Sequence, residues 1–398
     1  MRAMFRILLF LFIAVMPLHA AVELGIDVLK SQAFAPLAGK RVGLVTNQTG
    51  VDSSGTKTRV ILSKAHNVRL VALYSPEHGI DGTVGAGKYV ASRKDAATGL
   101  VVHSLYGPTR KPTPDMLRGI DVLVYDMQDI GVRSYTYVST MAKCMEACGE
   151  QKIPFVVLDR PNPLGGQRVE GPGIEDKWKS FVGQLPVPYL HGMTVGELAK
   201  MANAHGWAGS RCQLTVVPMQ GWSRDMTWSR TGLRWVQTSP NIPRANSVPY
   251  YAATSIFGSL EGAALDVGIG TGEPFQMAGK SGLDSVAFVR ELRAVGLRGV
   301  GVEPYVREEF GGARLSLTAD SDTNLAALNI HLLSAAQKNS RGSIFARYHD
   351  KDDIFWKVYG STSIRPQIEK GVSPAAIVAS WDYVVARFRS ARQSYLLY

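Results

Sequence analysis

The chain has 398 residues, 45% of them hydrophobic, with a formal net charge of +11 at pH 7. That length and apolar content can bury one large core or two smaller ones, and with no long charged or low-complexity tract a disordered chain is excluded. The basic residues are scattered, which argues against a nucleic-acid-binding stripe. The three cysteines, Cys144, Cys148 and Cys212, lack CxxC spacing, which argues against a disulfide framework or a cysteine-held metal.

Taken in chain order, Arg2 and Arg6 precede an apolar run at residues 7–16 and a small-residue zone at 17–21, the pattern of a secretory signal peptide. Export to the periplasm or the extracellular space is therefore expected. The run is short for a ~30 Å hydrocarbon core, so no stable membrane span is expected after signal removal. Short apolar runs follow at residues 41–46, 69–74, 101–105, 122–125 and 155–158. Runs apolar on both faces suit a parallel sheet covered by helices, so the fold class is α/β. Between the last two runs, Val138, Met141, Ala142, Met145 and Cys148 share one stripe of a helix expected over residues 135–149. This makes a right-handed βαβ unit. Thr194 and Glu197 stand in capping-box spacing at the head of another helix, which buries Leu198, Ala199 and Ala202 and ends near Gly206.

The regular alternation stops near residue 208, which sets a soft boundary between a domain over 22–208 and a smaller mixed α+β domain over 209–398 that closes a cleft. Residues 214–218 read as a strand and 221–249, rich in Trp, Gly and Pro, as a long loop. Helices are expected over 285–297 and 323–338. Another begins at Ser373 with Pro374 in its first position, packing Ile377, Trp381, Val384, Val385 and Phe388 inward.

Ligands of open α/β sheets bind beyond the carboxyl ends of the strands. There the chain places Asn47 after the first run, Glu77 and His78 after the second, Asp126, Gln128, Asp129 and Arg133 after the fourth, and Asp159, Arg160, Asn162 and then Glu170 after the fifth. Turns need Gly, Pro, Asn or Ser; they do not need Glu-His or Asp-Arg pairs. Glu77 is a candidate general acid supported by His78, against the plain alternative of a turn cap and a packed imidazole. Asp126 and Asp129 are candidate partners, or else bond the amides that open the next helix. Arg133 and Arg160 can grip a substrate carboxylate bidentately, or else pair with these aspartates. No P-loop, dinucleotide fingerprint, Gly-x-Ser-x-Gly elbow or HExxH motif is present, so neither a nucleotide cofactor nor a metal is called for.

At the same strand ends, residues 75–79 (SPEHG), 104–107 (SLYG), 126–137 (DMQDIGVRSYTY), 158–163 (LDRPNP), 170–172 (EGP), 192–199 (GMTVGELA) and 239–241 (SPN) resemble the exo-β-N-acetylmuramidase family, called NamZ or YbbC-like. The resemblance runs from about residue 23 onward. It implies a Rossmann-like domain followed by a smaller C-terminal one, and release of N-acetylmuramic acid from the non-reducing end of peptidoglycan fragments. The catalytic candidates are then Glu77 as acid or acid/base with His78, partnered by Asp129, Asp126 or Glu170, or by the substrate's own acetamido group. The candidate substrate-binding residues are Asn47, Arg133, Tyr137, Arg160, Asn162, Asn241 and Glu273; the lactyl carboxylate of muramic acid suits Arg133 or Arg160. The chain departs from the family in one string, where Ile269 stands in place of an Arg. A non-catalytic periplasmic sugar- or wall-binding protein is the main alternative, and a metal-dependent phosphatase or amidase built on Asp126, Asp129, His78 and His103 a weaker one. Oligomeric state is not legible.

Overall fold

A computed structural model describes residues 22–318, 322–347 and 354–398; the expected signal peptide lies outside the described residues. The chain enters through α1 (Gly25–Ser31), which leads to β1 (Arg41–Thr46), α2 (Thr58–Lys64), β2 (Arg69–Ser75), a short β3 (Arg93–Lys94) and β4 (Val101–Ser104). Then come β5 (Val122–Asp126), α3 (Tyr137–Gln151), β6 (Phe155–Leu158), α4 (Val195–His205) and β7 (Leu214–Val217). These strands form one sheet in the order β3-β4-β2-β1-β5-β6-β7, parallel except for the edge strand β3. The first sheet therefore continues past residue 208.

Side chains alternate between the two faces along each strand. Val42, Leu44, Val122, Val124, Val156 and Leu158 pack with α1 in one core, whereas Val45, Leu123, Tyr125, Phe155 and Val157 pack with α3 and α4 in the other. Each such fully buried aliphatic or aromatic side chain contributes about 1.5–3 kcal/mol. Gly25 is needed where α1 meets the sheet, since a Cβ there would stand 2.4 Å from the Asp159 amide. The capping box of α4 forms as the spacing predicts: Glu197 N–H donates to Thr194 Oγ1 at 3.2 Å, Thr194 N–H donates to Glu197 Oε2 at 3.0 Å, and Gly206 closes the helix in the left-handed region. Helix α3 starts later than its apolar stripe suggests, which leaves Ser134, Tyr135 and Thr136 in the loop before it.

The second domain opens with α5 (Ser247–Gly258), whose first three residues overlap the end of the stretch read from sequence as loop. It continues with β8 (Leu265–Asp266), β9 (Met277–Ser281), α6 (Ser285–Ala294), β10 (Val300–Arg307), β11 (Phe310–Leu317) and α7 (Leu325–Lys338). The four strands make an antiparallel sheet in the order β10-β11-β9-β8. The helices α8 (Ile354–Tyr359), α9 (Ile364–Glu369), α10 (Pro374–Ala379) and α11 (Asp382–Ala391) complete the chain. The single helix expected from Ser373 is two: a tighter turn, with Trp381 N–H on Val378 O at 3.0 Å, interrupts it and leaves Val384 partly in solvent while Ile377, Trp381 and Phe388 stay buried. Among the described residues no helix is long and apolar enough to cross a membrane.

The two domains are tied at several points. Tyr398 donates its hydroxyl to Asp159 Oδ2 at 2.8 Å, and Leu397 N–H reaches Glu197 Oε1 at 2.9 Å. Arg392 Nη1 donates to the carbonyls of His191 and Gly192 at 3.0 and 2.7 Å.

Candidate active site

At the centre of the strand ends the molecule closes on itself. Asp126, at the end of β5, accepts from Arg160 Nε and from Thr58 Oγ1, both at 2.5 Å, and Arg160 Nη2 also donates to Val51 O. This ion pair is buried on both sides. Breaking such a pair leaves an uncompensated charge, so its members hold the loops rather than standing ready for a ligand. Asn47 Oδ1 accepts from Thr49 N–H and Oγ1–H, and Thr49 Oγ1 accepts in turn from Gln128 N–H. Asn162 likewise closes its own loop, with Oδ1 on Leu164 N–H and Nδ2 on Met193 O.

The open cleft lies beside this plug, between the loops after β2 and β5 and the near end of the second domain. It is open to solvent with a volume of about 240 Å³, and Glu77, His78, Tyr135, Asn241, Tyr251 and Glu261 are among its lining residues. Pro76 to Gly79 form a tight turn off β2 in which His78 takes a left-handed backbone (φ 69°), tolerated more by His, Asn and Asp than by most residues. Its ring Nδ1–H donates to Val84 O at 2.6 Å, which anchors the turn. Glu77 is 7% exposed, and both of its oxygens are held: Gly87 N–H donates to Oε1 and Thr136 Oγ1–H to Oε2, each at 2.7 Å. The carboxyl is thus fixed between its own loop and the approach to α3.

Around it runs an aromatic wall. Tyr135 and Tyr251 meet edge to face with centroids 6.0 Å apart, and Tyr251 and Phe275 at 4.9 Å. Ser134 Oγ and the Tyr251 hydroxyl share a hydrogen bond of 3.1 Å. Apolar ring faces next to a few fixed polar groups are what a sugar ring requires. Ile269 stands on the rim, 54% exposed.

The remaining sequence candidates stand elsewhere. Asp129 is buried behind the cleft: Gly131 N–H donates to Oδ1 at 2.8 Å, Oδ2 has no hydrogen-bond partner, and burial raises its carboxyl to about 7. Glu170 faces α7, accepting from the Leu325 and Ala326 amides at 2.7 and 3.3 Å and pairing with Arg168. A carboxylate there complements the positive end of the helix dipole, which fits a structural role. Arg133 is buried and donates to four carbonyls, those of Pro172 and Val187 from Nη1 and those of Val358 and Tyr359 from Nη2, at 2.7–2.9 Å. It binds the first domain to α8, and burial lowers its pKa to about 10. Tyr137 is buried, its hydroxyl on Thr238 O, and Glu273 pairs with Arg314 at 2.8 Å on the second sheet. Of the sequence candidates, Glu77, His78 and Asn241 are the ones that line the cleft. Tyr251, Ser255 and Glu261 were missed because α5 and the turn after it lay in or beside an irregular stretch; Glu261 carried the only chemical signal, an acid beside a glycine. Among the described residues no group of three or more His, Cys, Asp or Glu is placed to hold a metal ion.

Comparison with known proteins adds to this geometry. The models for the N-terminal and C-terminal domains of exo-beta-N-acetylmuramidase NamZ match residues 42–246 and 250–398. The chain belongs to the NamZ family. The peptidoglycan beta-N-acetylmuramidase NamZ of Bacillus subtilis (strain 168) is 38% identical, over 95% of this chain and 91% of that relative. Two crystal structures of DUF1343 family proteins from Bacteroides fragilis NCTC 9343 share the fold. One superposes with a TM-score of 0.86 at 39% identity, the other with 0.73 at 30%, each over 95% of this chain and 99% of the other. The α/β reading with a smaller second domain thus agrees with solved relatives.

Proposed function

We propose that this protein is an exo-acting glycoside hydrolase that releases N-acetylmuramic acid from the non-reducing ends of peptidoglycan fragments, outside the cytoplasm. Membership of the NamZ family supports the reaction class, and the signal-like pattern of residues 1–21 supports the location. The single observation that carries the reading is Glu77, a buried carboxyl group held at both oxygens on the wall of a sugar-sized cleft. Glycoside hydrolysis needs a proton for the leaving oxygen and a second group to stabilise or capture the oxocarbenium-like centre. Glu77 supplies the proton, and Gly87 and Thr136 keep its carboxyl aimed. Glu261, carried on the second domain and lining the same cleft, is the second carboxyl group available there. Tyr135, Tyr251 and Phe275 stack against the sugar, and Asn241 bonds its polar substituents.

The binding-protein alternative requires two lobes that swing about a hinge. Ties from Arg133, Arg392 and Tyr398 between the lobes oppose that motion. The test is Glu77→Gln, assayed on an N-acetylmuramyl-N-acetylglucosamine disaccharide, whose sugar leaving group needs the proton: turnover should fall by about 100- to 10,000-fold, the range for losing a general acid, while N-acetylmuramic acid still binds. Near-normal turnover would reject the assignment.

A further inference from the structure

The cleft lining contains two acids and a histidine but no lysine or arginine. A substrate bearing its own carboxylate would meet like charge there, so a cation has to enter from the rim. Arg133 and Arg160 are committed to internal partners. Arg110 follows β4 on an exposed loop and forms no ion pair among the described residues; its polar partner is the Tyr106 hydroxyl. Its guanidinium carbon sits 4.2 Å from the centroid of Tyr106 and 4.6 Å from that of Phe181, two rings whose own centroids are 5.8 Å apart. Val182, next to Phe181 in sequence, lines the cleft. Tyr106 in turn links the two charges: its hydroxyl interacts with Glu77 on one side and Arg110 on the other, and burial together with the Glu77 charge raises its pKa.

We propose that Arg110 is the specificity-determining residue that binds the carboxylate on the lactyl ether of the muramic sugar; this rests on the muramidase reading. Ring contacts fix the plane of the guanidinium, one donor goes to the Tyr106 hydroxyl, and the other N–H groups of its five can meet a carboxylate through two parallel hydrogen bonds. Stacking also lowers the entropy lost on binding, because the fork is already oriented. Tyr106 contacts both Arg110 and Glu77, so the carboxylate site and the acid that delivers the proton are joined through one phenol.

The experiment compares hydrolysis of 4-nitrophenyl β-N-acetylmuramide with that of its lactyl methyl ester by the wild type, Arg110→Met and Arg110→Lys. For the free acid, Arg110→Met should lose about 10- to 100-fold in kcat/KM, expressed mainly in KM, as expected for a charge-assisted pair. For the ester the loss should be no more than about threefold, since the ester offers no full charge to pair. Arg110→Lys should recover part of the free-acid activity, keeping charge without the fork. Equal losses on acid and ester would overturn the assignment and leave the muramidase reading standing. No cleavage of either substrate by the wild type would overturn that reading, and the assignment with it.

Discussion

Arg133→Met separates a structural arginine from a substrate-binding one. In the structure the guanidinium donates to four buried carbonyls. After substitution Pro172 O keeps the Tyr189 N–H at 3.1 Å, but the carbonyls of Val187, Val358 and Tyr359 lose this donor. Each buried acceptor left without a partner costs about 1–3 kcal/mol. Against this, methionine no longer requires a buried cation, which offsets several kcal/mol of desolvation. Three orphaned acceptors less the relieved desolvation leave a loss of a few kcal/mol, a large share of the roughly 5–15 kcal/mol that holds a typical protein folded. Urea unfolding of wild type and variant measures it. Kinetics on the folded fraction should show N-acetylmuramide and its methyl ester affected in the same proportion. A variant within about 1 kcal/mol of wild type, with KM raised selectively for the free acid, would refute the reasoning and put Arg133 at the substrate.

Asp129 gives a pH signature. Its carboxyl is raised from 3.8 to about 7 by burial, so between those values the folded chain holds a proton that the unfolded chain has released. Stability contributed by this group therefore falls as pH rises from about 4 to 7 and is level above that, a change of roughly 4 kcal/mol across the window. Asp129→Asn should gain stability relative to wild type at pH 8 compared with pH 5; identical pH dependence in both proteins, followed by denaturant unfolding, would show that the proton is not retained. Glu170→Gln should cost about 1–2 kcal/mol through the first turn of α7 and change kcat less than about twofold, because the neutral amide still accepts from Leu325 N–H. A large loss of kcat at unchanged stability would return Glu170 to the chemistry.

The strands were legible because a parallel sheet covered on both faces demands continuous apolar runs, and little else in the chain offers them. The capped helix α4 was legible for a local reason, the reciprocal bonds of Thr194 and Glu197. Helix α5 was not: Pro249 lies in its first turn, its residues are aromatic or β-branched in large part, and most of its circumference is buried, so no polar stripe marks a period. The site was half legible. A polar residue at a strand end can satisfy the backbone of its neighbours or face a ligand, and sequence does not say which. Asp126 and Arg160 pair with each other, Glu170 caps α7, and Glu77 holds its own loop while lining the open cleft. The opposite wall comes from residues more than 100 positions away, so nothing local to Glu77 announces Tyr251 or Glu261.

The hydroxyl of Tyr398 satisfies a carboxylate 239 positions earlier in the chain, and also receives the Met219 amide at 2.7 Å. Burial already lifts Asp159 to about 6, and Tyr398 is one of the donors that restrain it. The segments that leave β6 and β7 therefore lack this bridge until the tail of the second domain has docked. Refolding should accordingly show the two halves becoming protease-resistant together rather than one after the other, and a cut in the segment joining α11 to Tyr398 should loosen the sheet that was synthesised first.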